Sequence, residues 1–390
     1  MTLNIKEIRK NTPGLENGIY LDNAGASLVP RQVLTVMKGH LDLESSVGGY
    51  VAQEQQLERL ENVYENLSRL LGGKASEFAM TSSASDSWGR AFYSVPMKAG
   101  DNVVTAFNEY CSNYVAFLHR AKRDGIEIRV ARPDENYALD TKHLGELIDD
   151  KTKLIAISHV PSSSGQINPV AEVGRIAKAA GVLYLLDACQ AIGQLPVNVD
   201  DIGCDMLAGT SRKFLRGPRG VGFMYVSSQA LNKLDPVMMS NQSAMWTASN
   251  QMDVRADTRV FESWERSVVV QLGFGAALDY YHSLNSAASM ERTIELGDYL
   301  RQKLEGVEGI AIADPAGPLA AIVTFEMVGH DPVEVKAKLA RQKIAVNVAS
   351  VVHTRLDLEA RGIESLLRAS PQYYTLHEEI DRFVEAISLI

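Results

Sequence analysis

The chain is poor in cysteine: Cys111, Cys189 and Cys204 are the only 3 among 390 residues. Their spacing matches neither a metal knuckle nor a disulfide framework, so no metal site is expected and a reduced cytoplasm suits them. Positive charge is also scarce. Lys and Arg total 39 against 48 Asp and Glu, a net charge of −9, so the basic face that nucleic acid needs is missing. No window approaches the ~20 apolar residues of a membrane span. The opening stretch MTLNIKEIRKNTPG is charged and lacks the apolar core of an export signal. Repeats, low-complexity tracts and long linkers are missing too. What is present is a composition of 46% hydrophobic residues, enough for a large core in two domains or in one domain with an appendage. These bounds lead us to expect a soluble cytoplasmic globular protein of enzyme size.

Along the chain, QLERLENVYENLSRLLGG sets Leu57, Leu60, Val63, Tyr64, Leu67, Leu70 and Leu71 on one helical face, stopped by Gly72 and Gly73. Strand-like and helix-like segments then alternate. NVVTA, IEIRVAR and KLIAISHV read as strands, and VLYLLDA, DMLAGTS and GVGFMYVS as strands buried on both faces. Between them, SNYVAFLHRAKRDG, TKHLGELI and NPVAEVGRIAKAAG read as helices, the last with Asn168 as its cap, Pro169 in its first turn and Gly181 as its stop. That rhythm predicts an α/β fold with a mostly parallel sheet wrapped by helices, and ligands beyond the carboxyl ends of its strands. After about residue 255 longer helices take over, followed by AAIVTFEMV, a helix from Asp331, KIAVNV, LLRAS and a final helix. We expect a large domain over residues 15–260 and a smaller α+β domain over 261–390, joined by 1–14.

Two residues carry a chemical suggestion. Asp187 ends a buried apolar run, where a carboxylate is costly unless a cation or donor meets it. A helix cap or a salt bridge would account for it equally well. Lys213 stands in GTSRKFLRGPRGVGFMYV, a glycine-rich turn that also carries Arg212, Arg216 and Arg219; alone it reads as a solvated turn lysine. Together they fit one chemistry: a lysine amine holds an aldehyde cofactor as a Schiff base, and a carboxylate keeps a pyridine nitrogen protonated. The arginines would then balance a phosphate, and Gly217, Gly220 and Gly222 would let the backbone come close.

LLDACQAIG, GTSRKFLRGPRGVGFMYV and LLRASPQYYTLHEEIDRFV, in that order, closely resemble the class V aminotransferase group of fold-type I pyridoxal-phosphate enzymes. Cysteine desulfurases, selenocysteine lyases, isopenicillin N epimerase and C–S lyases belong to that group. The resemblance starts at YLDNAGAS and reaches the C-terminus. It implies pyridoxal 5'-phosphate on Lys213, with Asp187 as the pyridinium partner and Gln190 on the phenolic oxygen. FAMTSSASDSW stands where the family has its phosphate loop, which implies Ala84 and Ser85 in a phosphate cup at a helix start. Thr210 and Arg212 match phosphate-reaching positions, with arginine where histidine is usual. Tyr110 takes the place of a stacking aromatic that is usually histidine; tyrosine can stack but is a different acid at neutral pH. Arg368 matches the clamp on the substrate carboxylate, and Asn23 and Ala24 match the substrate side. Ser162 stands where desulfurases usually carry asparagine. RVFESWERSVV lacks the usual Gly-Thr that reaches a neighbouring subunit's phosphate, leaving Trp264 and Arg266 as candidates there.

Desulfurases hold a nucleophilic cysteine on a loop shortly before the clamp arginine. NVASVVHTRLDLEARGIESLLRAS has none, which disfavours persulfide transfer onto the enzyme. Three outcomes of a Cα carbanion then stay open. The expectation is β-elimination from a cysteine-like or S-substituted amino acid, with Lys213 as the base; transamination and epimerisation are the alternatives. His353, Arg355 and Arg361 are read as pocket-tuning groups or as solvated loop charges. A reading of another class is a non-catalytic phosphate-binding module built on SRKFLRGPRG, against which the acidic net charge and the Asp187–Gln190 pair weigh. Relatives are dimers, so a homodimer is expected.

Overall fold

The structure, a computed structural model, describes residues 3–390. Its larger sheet has seven strands: β1 (Phe78–Thr81), β2 (Asn102–Ala106), β3 (Glu127–Ala131), β4 (Thr152–Ser158), β5 (Leu183–Asp187), β6 (Met206–Thr210) and β7 (Gly222–Val226). Their spatial order is β1-β7-β6-β5-β4-β2-β3. Neighbours from β3 to β6 run parallel, and β7 is antiparallel to both β6 and β1. Every residue of β2, β5, β6 and β7 is buried. Helices cover both faces of such strands, which is why they read as continuous apolar runs rather than alternating ones.

The helices follow from spacing and caps. Leu57–Leu71 buries Leu60, Val63, Tyr64, Leu67 and Leu71 and stops at Gly72, whose φ of 78° suits glycine; Leu57 itself stays exposed. The helix Val170–Ala180 ends at Gly181 in the left-handed conformation, but Pro169, not Asn168, is its cap. Asn168 is elsewhere engaged: its amide donates to the Ser158 carbonyl at 2.7 Å and to Asn108. Asp331 caps Pro332–Arg341 by accepting from the Val333 N–H at 2.8 Å.

A hairpin, β8 (Ala244–Ala248) with β9 (Gln251–Val254), stands off the larger sheet. A second, antiparallel sheet follows: β10 (Ile310–Ile312), β11 (Val323–Met327), β12 (Asn347–Ser350) and β13 (Ser365–Ala369), in the order β10-β11-β13-β12. It has its own core, which includes Leu300, Phe325, Leu367 and Phe383. The helix Val268–Ser283, which sequence reading gives to the C-terminal part, buries Phe274, Leu278 and Tyr281 in the core of the larger sheet. No helix among the described residues is long and apolar enough to cross a membrane.

Both termini are stitched together. Ile19–Tyr20 pairs in parallel with Ile344–Ala345, and Arg9 meets Glu379 at 2.8 Å. Arg216 adds a buried tie. Its guanidinium donates to the Leu28 carbonyl at 3.0 Å, the Tyr373 hydroxyl at 3.0 Å and Thr12 Oγ1 at 2.6 Å, and it lies over the Tyr374 ring at 4.5 Å. The residue has a φ of 60°, a state costing a side-chain-bearing residue about 1–2 kcal/mol. Arg216 therefore does not balance a phosphate, as the sequence reading supposed. Arg216→Ala should lose about 3 kcal/mol or more, because it leaves buried hydrogen-bonding groups unmet and opens a cavity. A urea-unfolding midpoint equal to the unaltered protein's would refute this tie.

Candidate active site

Strands β4, β5 and β6 run parallel, so their carboxyl ends lie side by side: in register, Asp187 is flanked by Ser158 and Ala208. β2 sits next to β4, and the chain leaving it enters the helix Cys111–Asp124 through Glu109 and Tyr110. On the far side, β6 leads into the Ser211–Gly217 turn and β7 brings the chain back against the start of the helix Ala84–Tyr93. A cavity of about 350 Å³ opens among these ends. Asp187, Gln190, Thr210, Arg212 and Lys213 line it, with Tyr110, Ala84 and Ser85.

Asp187 is buried at the cavity wall, and each of its oxygens accepts one hydrogen bond. The Cys189 N–H donates to its Oδ1 at 3.0 Å and the Asn113 amide to its Oδ2 at 3.0 Å. Behind it lies a second buried acid. Glu109 Oε1 accepts from Ser158 Oγ at 2.5 Å, the Tyr110 N–H at 2.7 Å and the Asn113 amide at 2.9 Å. Burial, reinforced by the charge of Asp187, pushes the Glu109 carboxyl up to about 7.

Lys213 is half-buried, with its open part on the cavity. Burial draws its amine down to about 8; the neighbouring Cys189 and Asp187 oppose this shift and Arg212 and Arg368 assist it. Neutral amine is thus available near physiological pH. Burial raises the Tyr110 hydroxyl, so that ring enters the site as a neutral surface.

At the other end, Ser83 caps the helix Ala84–Tyr93 by accepting from the Asp86 N–H at 3.1 Å, leaving the first N–H groups of the helix facing the cavity. Gly222 makes this approach possible. A Cβ there would lie 2.3 Å from the Ser83 carbonyl carbon and 2.6 Å from the Ala84 nitrogen, so no other residue fits. Arg219 also lines the cavity.

The second sheet contributes Arg368 from β13. It donates to the Ser162 carbonyl at 2.9 Å and to Asp22 Oδ1 at 3.2 Å, while its buried Nε has no partner. Arg368 does not itself line the cavity but lies one residue behind it, through the Ser162 carbonyl that it meets. Ser162 itself lines the cavity. Asn23 corrects the reading from sequence. Its side chain is wholly buried, donating to the Ser370 carbonyl at 2.7 Å and accepting from the Tyr374 hydroxyl, so it braces the wall rather than facing a substrate. Ala24 enters through its carbonyl, which accepts from Gln190 Nε2 at 3.2 Å. Trp264 is exposed and Arg266 donates to Gln271 at 2.9 Å; neither lines the main cavity. His353, Arg355 and Arg361 lie away from it as well, engaged with Ser350, Glu359 and the Ala313 carbonyl respectively.

A family model for class V aminotransferases matches residues 19–383. The chain belongs to the class V aminotransferase family. Members are pyridoxal-phosphate-dependent enzymes, and this chain is one of them. It is 26% identical to a probable cysteine desulfurase of Methanothermobacter thermautotrophicus over 99% of this chain and 98% of the relative. It is 28% identical to a cysteine desulfurase of Escherichia coli strain SE11, covering 100% and 99%. In fold it matches the E. coli cysteine desulfurase CsdA with a TM-score of 0.92 at 20% identity, covering 100% and 99%. It also matches the cystine C–S lyase C-DES in complex with its product cysteine persulfide, at 0.88 and 20% identity, covering 97% and 99%.

The cavity of this class V chain suits the cofactor on its own chemistry. Gln190 Oε1 is buried at the wall with no partner, a carboxylate forms one side, and a cationic, N–H-rich cup closed by Gly222 forms another. Sequence reasoning missed Asn113, Glu109, Ser158 and Asp22. A signal existed for two of them: in NEYCSN the acid and the amide are four apart, the spacing of one helical face.

Proposed function

We propose that this enzyme breaks the Cβ–S bond of cysteine or an S-substituted cysteine by β-elimination, releasing the sulfur into solution rather than onto a protein thiol. The supporting observation is the pairing of a desulfurase-like frame with the thiols this chain has. The segment between β12 and Arg368 folds as a short turn, Val351–His353, and a helix, Arg355–Ala360, neither carrying a cysteine. Cys189 and Cys204 are buried and their thiols pushed well above the usual range by burial, so neither is a ready thiolate. Cys111 is half-buried at the start of the helix Cys111–Asp124, outside the segment that precedes Arg368.

The residues divide the work. When bound, the cofactor supplies an aldehyde for the amine and a ring that accepts the electron pair left at Cα. Ala84 and Ser85 at the helix start, with Thr210, Arg212 and Arg219, hold its phosphate. Asp187, fixed by the Asn113 amide and the Cys189 N–H, keeps the ring nitrogen protonated. Gln190 meets the ring's hydroxyl, and Tyr110 covers its face. Lys213 is the residue that would hold the cofactor, and its Nζ, when free, would take the Cα proton; an amine near 8 is well matched to that task. Arg368 gives its free Nε to the substrate carboxylate, with Asp22 steadying the guanidinium. The sulfur then leaves Cβ with its bonding pair, and water completes conversion of the carbon skeleton to a keto acid and ammonia.

Two further readings go with this one. We place the protein in a reduced compartment, as its free thiols favour, and we infer a homodimer. The hairpin β8–β9 exposes Met245, Trp246 and Met252, an apolar set that a second copy would cover. Sedimentation at a dimer's mass is expected; a monomer at micromolar concentration would refute it. For the reaction, a panel of cysteine and S-substituted cysteines should yield keto acid, ammonia and thiol or sulfide with turnover, and intact-mass spectra should show no sulfur added to the protein. Conversion of the cofactor to its amine form without elimination would replace this reading with transamination, and D-amino acid as product would replace it with epimerisation.

A further inference from the structure

Among the described residues, Glu109 is the one buried acid beside the site that the proposed reaction does not use. It sits 4% exposed, one layer behind Asp187. The Asn113 side-chain nitrogen bridges the two, donating to Glu109 Oε1 at 2.9 Å and to Asp187 Oδ2 at 3.0 Å. Each acid therefore takes one of the two amide protons, and the position of Asp187 depends on Glu109 holding the other. Ser158 Oγ and the Tyr110 N–H fasten Glu109 at 2.5 and 2.7 Å, tying this layer to β4 and to the residue that covers the cavity. A glutamine would fill the same space without the cost of a buried charge. The carboxyl is thus poorly explained by packing alone.

We propose that Glu109 is a positioning residue. Through Asn113 it fixes Asp187 and, when ionised, lends its negative charge to the hold on a cationic ring in the cavity. This inference rests on the cofactor reading above and deepens it. The groups that face Glu109 are Asp187 across the amide, Tyr110 beside it in the chain, and Tyr184 from β5, whose hydroxyl feels the Glu109 charge. His159, which follows Ser158, is drawn down to about 4 by burial and is neutral here. On the cavity side Asp187 and Lys213 act on each other, and Arg212 and Arg368 act on Lys213.

The sign follows from where Glu109 titrates. With its carboxyl raised to about 7, it is neutral at pH 6 and below, where glutamine is a close mimic, and charged at pH 8 and above, where glutamine lacks its charge. The dissociation constant of pyridoxal phosphate is measured across pH for the unaltered protein and for Glu109→Gln, by the visible absorbance of the bound cofactor. The two should agree near pH 6 and diverge above pH 7, with Glu109→Gln binding about tenfold more weakly by pH 8.5, the equivalent of one pKa unit of lost charge interaction. A ratio that stays constant with pH overturns the charge role while leaving the cofactor assignment intact. An unaltered protein that takes up no pyridoxal phosphate overturns that assignment and this inference with it. Should Glu109→Gln fail to fold, Asn113→Ala carries the test: affinity should drop about tenfold at every pH as Asp187 loses its donor, and wild-type affinity in that variant overturns the proposal.

Discussion

A carboxylate at the end of a strand buried on both faces is the constraint around which this molecule is arranged. Left alone, Asp187 would cost several kcal/mol in lost hydration. The chain meets that cost with a side-chain amide from the crossover after β2 and a backbone N–H from its own turn, and the turn after β6 adds the positive charge of Lys213 nearby. Each group arrives from a different stretch of sequence, so the strand order is inseparable from the chemistry. Placing β2 beside β4 brings Glu109 and Asn113 behind the acid; placing β6 beside β5 brings Lys213 in front of it. Burial holds the Lys213 amine partly neutral, and the charge of Asp187 works against that shift.

The basic turn after β6 separates into two duties. Arg212, Lys213 and Arg219 face the cavity, whereas Arg216 turns inward and ties Thr12, Leu28 and Tyr373 together. Arg368 links the second sheet to Asp22 in the N-terminal segment and to the carbonyl of Ser162, which lines the cavity. The site is thus closed by three regions far apart in sequence, and the stitching of the termini supports catalysis as well as stability.

Much of the frame was legible because its signals are local. Continuous apolar runs gave the buried strands, glycines gave the helix stops at Gly72 and Gly181, and ordered motifs pointed to Asp187 and Lys213. What escaped was decided by contacts between distant segments. Asn168 carries a good cap signal, but its amide is drawn to Ser158 and Asn108 across the sheet. Asn23 reads as a substrate contact until the return of the C-terminal strand claims it through Ser370. Arg216 looks identical to its neighbours in a string of letters; only the left-handed backbone at that residue and three waiting acceptors distinguish it. Glu109 carries no local mark of burial, since an acid before a helix is most simply a solvated cap.

The central claim is that one lysine amine, opposite one buried acid, carries the cofactor. Borohydride reduction of protein loaded with pyridoxal phosphate, followed by proteolysis and mass mapping of the label, tests it most directly. A single stoichiometric label on Lys213 is the result this account predicts. Label spread over surface lysines, or placed on any other single residue, would contradict it.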